Sequence, residues 1–569
     1  MKMLTVDLGR STWEYAPIDE ALANAFFGGR GITTKWLFDH ARPHDDPLGE
    51  DALILFGTGP VTGTPFPMGG RYAATARSPL TGTIFTASCG GRLGVYLKKA
   101  GIDVLIVKGV ADKPTYLSID DGTVELHSAE VLWGREKAEV KSRLRRQHGL
   151  DVSITLIGRA GENGVLFANI ENDGRFLGRG GLGAVLGAKR LKAIVVRGRR
   201  KVEVAHKEAF SFIAYECKKW LTASPVTSQG LAQFGTGILL NYMREMGLLT
   251  TKNHRFVAPF EAADISGEMV TEKLLKRRRA CPFCPVACGR VTRYGDGPEY
   301  ETLWALGSNL GIFDIEKVAE LNGLCNELGL DTISTGSALG MAAELSEMGR
   351  LPEAIRYGDA EKMKETVHAI TERRDIGEIL SLGTKRMGEY FGTPELGGHV
   401  KGLDLPAYDP RGAYGNALGY ATSNRGGCHL QGYMIGTEVL GIPKLLDRFA
   451  VSGKASLLAQ YQNLSAFTDT LIMCRFAGFA LPADYYARIA NAVTGRKLTW
   501  EETLLIGERI WNVERLFNLR EGVEEDRLPV RFNTVPLQQM LKEYYEIRGW
   551  DERGIPKPET LQRLGLCDT

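Results

Sequence analysis

The stretch LKAIVVRG, residues 191–198, is the last of a series of short β-type runs, and just beyond it the chain changes period. Upstream lie DALILFGTG, RYAATARS, IDVLIVKGV, PTYLSID and SITLIG, each with β-branched or alternating apolar residues and each bounded by turn-forming residues. From about residue 206 apolar residues recur at helical spacing instead, as in VAELNGLCNELG, SALGMAAELSEMG, KMKETVHAITERR, ASLLAQYQNLSAF and ETLLIGERIWNVERLF. The pattern predicts an α+β protein, with a β-rich N-terminal domain over 1–205 followed by mainly α-helical structure. A loop rich in Gly, Pro and Asp, LDLPAYDPRGAYGNALGY at 403–420, interrupts the helical part and divides it into expected domains at 206–402 and 403–569. There is no low-complexity segment and no fixed-period array, which excludes solenoids and propellers.

With 569 residues and 44% hydrophobic content the chain can bury a large core and several domains. Seventy Lys and Arg against 68 Asp and Glu leave a net charge of +2, so no global field favours nucleic acid or an anionic membrane. The start, MKMLTVDLGRSTWEY, lacks the apolar core of a signal peptide, and no later window offers the roughly 18 uninterrupted apolar residues of a membrane span. A cytoplasmic protein without a membrane span is expected.

Nine cysteines are too sparse for a disulfide scaffold, and three crowd into Cys281-Pro-Phe-Cys284-Pro-Val-Ala-Cys288. Spacing of this kind brings three thiolates onto one face of a loop-to-helix turn, as a [4Fe–4S] cluster requires, with a fourth ligand from elsewhere. Structural zinc and plain buried thiols are the alternatives, although zinc sites usually pair two such knuckles. The run Lys276-Arg277-Arg278-Arg279 just before the motif is either a solvated face or a dock for an acidic electron carrier. Glycine makes up about 12% of the chain, against roughly 7% usually. Several glycines stand beside arginine, at Gly28-Gly29-Arg30, Gly69-Gly70-Arg71, Gly90-Gly91-Arg92, Gly178-Arg179-Gly180-Gly181 and Arg425-Gly426-Gly427. Glycine admits close backbone approach and arginine forks onto phosphate, so the corners point to a large phosphate-bearing cofactor; the plain alternative is that they only turn short strands. Gly178 to Gly183 also satisfies G-x-G-x-x-G, but the polar ENDGRFLG before it does not read as the strand of a dinucleotide-binding unit.

The segments GGRYAATARSPLTG, NDGRFLGRGGLGAVLGAKRLKAI, CPFCPVACGRV, GPEYETLWALGSNLG, CNELGLDTISTG, LPAYDPRGAYGNALGYATSNRGGCH and IGERIWNVERLFNLREG stand in the same order as in the aldehyde ferredoxin oxidoreductase family, which the chain resembles over nearly its whole length. The resemblance implies a β-rich base, two helical domains above it, and tungsten or molybdenum held between them by two pyranopterins, with Mg2+ bridging their phosphates. It assigns a [4Fe–4S] cluster to Cys281, Cys284, Cys288 and Cys474. Arg71, Ser88, Gly90, Arg179, Gly180, Leu182, Gly183 and Arg425 fall around the pterins, with Ser88 where relatives often carry asparagine. Asn326, Leu330 and Asp331 form one pterin motif, Asn326 replacing the usual aspartate, and Asp469 and Met473 form the other. Glu301 and His429 match the active-site acid and histidine, Glu301 as general base and His429 as hydrogen-bond donor, while Glu299 is a second candidate acid.

The implied reaction is reversible oxidation of aldehydes to carboxylic acids, with electrons leaving through the cluster to ferredoxin or a ferredoxin-like polyferredoxin subunit. Relatives that bridge two subunits by iron use Glu-x-x-His, where this chain has Glu320-Leu-Asn-Gly323, and Lys364 stands at the second histidine position. Any oligomer is therefore expected to lack that iron. The alternatives are reduction of an aromatic thioester within the same family, a nicotinamide-dependent dehydrogenase, or a non-enzymatic electron-transfer subunit.

Overall fold

The computed structural model describes residues 1–567. Its first part carries β1 (Lys2–Asp7), β2 (Thr12–Pro17), β3 (Ile54–Gly57), β4 (Tyr72–Arg77), β5 (Ile84–Cys89), β6 (Val104–Lys108), β7 (Thr115–Asp120), β8 (Thr123–Ser128), β9 (Ser153–Ile157), β10 (Ile170–Asn172), β11 (Arg175–Leu177) and β12 (Leu191–Arg197). They form two six-stranded sheets, ordered β2-β1-β6-β3-β4-β5 and β11-β10-β9-β12-β7-β8. Read from the other edge, the second order is the first with six added to every strand number. The hand of each pairing repeats as well: β1 with β6 and β7 with β12 are parallel, and the other neighbours are antiparallel.

The domain is thus a duplicated unit, and its matching helices, Leu93–Lys99 and Leu182–Ala188, each follow a glycine-rich turn. The sequences LGVYLKKAGIDVLIVKG at 93–109 and LGAVLGAKRLKAIVVRG at 182–198 align without a gap. Gly94 and Gly183 do the same work: a Cβ on either would meet a backbone oxygen at 2.4 Å, that of Arg71 in one unit and of Asn169 in the other. Each helix therefore packs directly on the chain that enters the fourth strand of its unit.

The rest of the chain is mainly helical. Ile315–Leu328, Thr332–Glu347, Ala360–Glu372, Lys454–Leu471 and Trp500–Arg520 are the main helices. Trp500–Arg520 starts in a capping box, Thr499 with Glu502, and crosses Lys454–Leu471 so closely that a Cβ at Gly507 would lie 1.9 Å from the Asn463 carbonyl oxygen. One apolar core runs from the two sheets into the helices 315–328 and 332–347, and a second joins Ile32 and Phe38 to Phe467, Ile510 and Phe517.

Buried Arg30, from the first glycine–arginine corner, pairs with Glu514 at 2.6 Å and Asp469 at 3.1 Å, so this corner ties the base to the C-terminal helices. Among the described residues no helix is long and apolar enough to cross a membrane.

Candidate active site

A cavity of about 740 Å3 is walled by all three expected domains, within the range of roughly 300–1,000 Å3 typical of ligand pockets. Cys281, Cys284, Cys288 and Cys474 all line it. The three-cysteine segment runs between the strands Leu275–Arg279 and Gly289–Thr292, so it is a strand-to-strand loop and not the expected turn into a helix. Phe283 and Ala287 take left-handed backbone conformations inside it, which folds the thiols inward.

Met68 joins this loop to the distant cysteine. Its N–H donates to the Phe283 carbonyl at 3.3 Å, and its carbonyl accepts from the Cys474 N–H at 3.2 Å. Gly90, at the end of β5, closes on the same loop, where a Cβ would lie 2.4 Å from Cys281 Sγ. Burial raises the Cys284 thiol, with Cys474 adding to it, and burial followed by Glu299 raises Cys288. Arg71 and Arg175 are the cations facing these sulfurs: burial opposes the Arg71 charge, but Cys474 and Cys281 hold its pKa above the ordinary value.

Glu301 stands in the first turn of the helix Tyr300–Ala305, and its Oε2 accepts from the Ala407 N–H at 2.8 Å. Its Oε1 lies 3.4 Å from His429 Nε2, and neither Glu301 Oε1 nor His429 Nδ1 has a hydrogen-bond partner. Burial raises Glu301 to about 7, against a smaller lowering by the Ala407 N–H and Arg179. Burial, Arg179 and Arg425 depress His429 to about 3. A carboxyl poised near neutrality thus faces an imidazole that burial and two arginines hold in its neutral form. Glu299 lines the same cavity but has other partners, accepting from Thr236 Oγ1 at 2.5 Å and lying 3.4 Å from Arg175, so its contacts distinguish it from Glu301.

Arg71, Gly90, Arg179, Asn326, Leu330 and Asp331 also line the cavity. Asp331 caps the helix Thr332–Glu347 and meets Arg179 at 3.4 Å, while Asn326 donates to the Asp296 carbonyl at 2.8 Å. The remaining candidates stand behind this wall. Ser88 accepts from Arg71 at 3.3 Å, and the Gly180 carbonyl accepts from Ser78 at 2.8 Å. Leu182 and Met473 are buried in the cores, and Gly183 packs on Asn169. Arg425 donates to the Cys428 sulfur at 2.8 Å, and Asp469 is held by Arg30 and by Arg475 at 2.8 Å.

Of the five glycine–arginine corners, those of Arg71 and Arg179 place a guanidinium on the cavity; Arg30 is spent on Glu514 and Asp469, and Arg92 on Asp173 at 3.2 Å. The G-x-G-x-x-G run is entered from the three-residue β11, an arm of an antiparallel hairpin, so no dinucleotide-binding unit surrounds it. Lys364 is ion-paired with Glu320 at 3.0 Å.

Several wall residues were not singled out from the sequence. Arg175, inside NDGRFLG, lies beside the thiols, and Cys89 is a fifth thiol on the wall, raised by burial to about 12. Tyr408 and Tyr433 flank His429 with ring centroids at 5.4 and 6.3 Å. Only Tyr408 had a signal, its place in the Gly/Pro/Asp-rich loop.

A duplicated β-rich base under helices, with thiols and a carboxyl–imidazole pair on one cavity, has the form of an oxidoreductase. Comparison with known proteins narrows this. Residues 3–198 match the aldehyde ferredoxin oxidoreductase N-terminal domain, and residues 213–566 match domains 2 and 3 of the same family. The chain belongs to the aldehyde ferredoxin oxidoreductase family. It is 43% identical to a tungsten-containing aldehyde ferredoxin oxidoreductase of Pyrococcus furiosus, over 100% of this chain and 99% of the relative. It is 31% identical to the WOR-like subunit of an aliphatic sulfonate oxidoreductase from the same organism, over 99% and 96% of the two chains. The active-site complex BamBC of benzoyl coenzyme A reductase shares the fold, with a TM-score of 0.89 at 23% identity over 100% of this chain and 97% of that one.

Proposed function

We propose that this chain is a tungsten- or molybdenum-pterin enzyme that oxidises aldehydes to carboxylic acids, reversibly, and releases electrons through a [4Fe–4S] cluster to ferredoxin or a ferredoxin-like polyferredoxin subunit in the cytoplasm. The observation that carries the reading is the convergence of Cys281, Cys284, Cys288 and Cys474 on the cavity that also holds Glu301 and His429. Full-length relatives of Pyrococcus furiosus and Thermococcus kodakarensis, 43% and 42% identical, are named as tungsten-containing aldehyde ferredoxin oxidoreductases, which supports it.

The donor set suits the implied groups. Cys281, Cys284, Cys288 and Cys474 would hold a [4Fe–4S] cluster as thiolates, four being the number it needs, and burial raises the Cys284 and Cys288 thiols. Among the described residues no three His, Cys, Asp or Glu side chains converge as the ligands of one ion do. Arg71 and Arg179, with Gly90 and the Gly180 turn, would hold the pterin phosphates, and phosphate oxygens would carry the Mg2+. Ser88, Leu182, Gly183 and Arg425 would shape that wall, and Asn326, Leu330 and Asp331, with Asp469 and Met473, would seat the two pterin rings.

When bound, the pterin metal supplies the two-electron oxidation and the cluster a one-electron outlet. The protein handles the protons and the pose. Ionised Glu301 takes a proton from water or from the hydrated aldehyde. Neutral His429 has one N–H and one lone pair; when Oε1 is protonated, Nε2 accepts from it and Nδ1–H is free to donate to the substrate oxygen. Leu430, Tyr433, Leu440, Ile442 and Phe479 line the wall beyond this pair and favour an uncharged substrate body. The Lys364–Glu320 pair supports assembly without a bridging iron, because an ammonium already satisfies that carboxylate.

Anaerobic purification followed by metal analysis and a viologen-linked assay with a panel of aldehydes tests the proposal. Tungsten or molybdenum at about one per chain, about four irons, and dye reduction by an aldehyde are expected. A folded protein with neither heavy metal, inactive on every aldehyde after reconstitution, refutes it.

A further inference from the structure

The strand Leu275–Arg279 leads directly into the cysteine loop and lies at the edge of its three-stranded sheet, with its outer side unpaired. Lys276, Arg277 and Arg278 are all exposed, and a register shift between Leu275 and Arg277 breaks the alternation that would turn one of them inward. Among the described residues Lys276 and Arg277 meet no acidic side chain within 4.0 Å, and Arg278 makes only a 3.3 Å contact to the Ala232 carbonyl. Arg279 differs, pairing with Asp296 at 2.7 Å. Across 270–296 the sequence carries seven Lys and Arg against two acids, although the whole chain nets only +2. Two residues beyond Cys281, Phe283 exposes 41% of its surface, and Pro285 is exposed beside it. A cationic edge strand thus leads directly into a loop that exposes Phe283 and Pro285 to solvent and carries three thiols on the cavity wall.

We propose that the basic strand Lys276-Arg277-Arg278, with the exposed Phe283 of the loop it leads into, is the dock for a small acidic iron–sulfur protein that accepts one electron at a time. The inference rests on the function proposed above and adds the route by which electrons leave. Aldehyde and water give carboxylate, three protons and two electrons, and two successive carrier molecules, or two centres of one carrier, are each reduced by one electron. Electron transfer weakens steeply with distance, so the carrier belongs beside the loop that bears the thiols, whose Phe283 and Pro285 are exposed. Opposite charge at the rim of an interface raises the rate of encounter and makes it fall with salt. A charged edge strand also repels stray strand pairing, but that role requires no particular response from an acidic carrier.

The test uses the loaded protein, an acidic two-cluster bacterial ferredoxin as probe, and the variant Lys276→Glu, Arg277→Glu, Arg278→Glu beside its Gln counterpart. Affinity for oxidised ferredoxin is measured by thermophoresis at low and high salt, which needs no turnover, and aldehyde oxidation is followed with ferredoxin and with a viologen dye. The Glu variant should keep its iron content and dye-linked rate while kcat/KM for ferredoxin falls by about tenfold or more and its salt dependence flattens or inverts. The Gln variant should lie between it and the wild type. Glu and Gln variants that bind and reduce ferredoxin as the wild type does overturn the dock. Absence of dye-linked activity in the wild type itself would count against the proposed function, and the binding measurement would still decide the surface.

Discussion

At Glu301 one carboxyl carries two opposing requirements. Its ordinary pKa of 4.5 is raised by burial to about 7, so the folded state favours the protonated form. That contribution to stability is fully present below about 4.5 and is lost as pH rises through about 7. Activity runs the other way, because only the ionised form accepts a proton. Turnover should therefore rise through an apparent pKa near 7 while the unfolding midpoint falls across the same interval. Glu301→Gln separates the two: metal and cluster contents stay as in the wild type, turnover drops by roughly 10²-fold or more, and the variant is the more stable protein above pH 7 because nothing there must ionise. Rate–pH and melting–pH profiles check both halves, and near-normal turnover of the variant removes Glu301 from the chemistry. His429, already depressed to about 3, contributes no inflection near neutrality.

At the level of elements, the duplicated unit decides where the cavity wall lies. Gly94 and Gly183 let two short helices touch the chain entering β4 and β10, and no larger residue fits. Gly183→Val should cost roughly 1–3 kcal/mol through overpacking and should lower cofactor retention, because the Arg179 turn leads directly into that helix. Gly178→Ala is the control: nothing lies within 4 Å of its Cβ, so its melting midpoint should stay at the wild-type value. An equal fall in both would show that the close approach is not what matters.

The same elements show what sequence can carry. LKAIVVRG and VAELNGLCNELG were legible because period-2 and period-3.6 burial leave a local mark. The duplication was not, because its two copies share topology over about 90 residues while keeping only a few identities, such as Leu93 with Leu182 and Gly94 with Gly183. At the site, CPFCPVAC announced metal through local spacing. The positions of Cys474, Arg175 and Tyr433 depend on contacts between segments far apart in the chain, such as Met68 with Phe283 and Cys474. The Arg30 corner looks in sequence like the Arg71 corner, and only its buried partners Glu514 and Asp469 tell them apart.

For the whole molecule, the proposed cofactors should stabilise the fold that would hold them. The cavity takes walls from the sheets, the cysteine loop and the C-terminal helices, so anything bound there adds to the contacts these regions already share in the core that holds Leu55, Val286 and Phe467. A ligand that binds only the folded state raises stability by RT ln(1 + [L]/Kd), about 4 kcal/mol at a thousandfold excess over Kd. Among the described residues the backbone of the loop 281–288 is tied by Met68 N–H to Phe283, Cys284 N–H to the Cys281 carbonyl, and Arg290 to the Ala287 carbonyl at 2.8 Å, so the proposed cluster would supply much of its order. Stripping the iron with a chelator under anaerobic conditions should therefore lower the melting midpoint and speed hydrogen exchange first in 281–288, around Met68 and in 472–476. The strands β3, β4, β6, β9 and β12, which lie in the interior of their sheets, should keep their protection. Exchange that quickens evenly over sheets and loops would mean that the base does not fold independently of what it holds, and exchange unchanged at all three segments would separate these thiols from the metal.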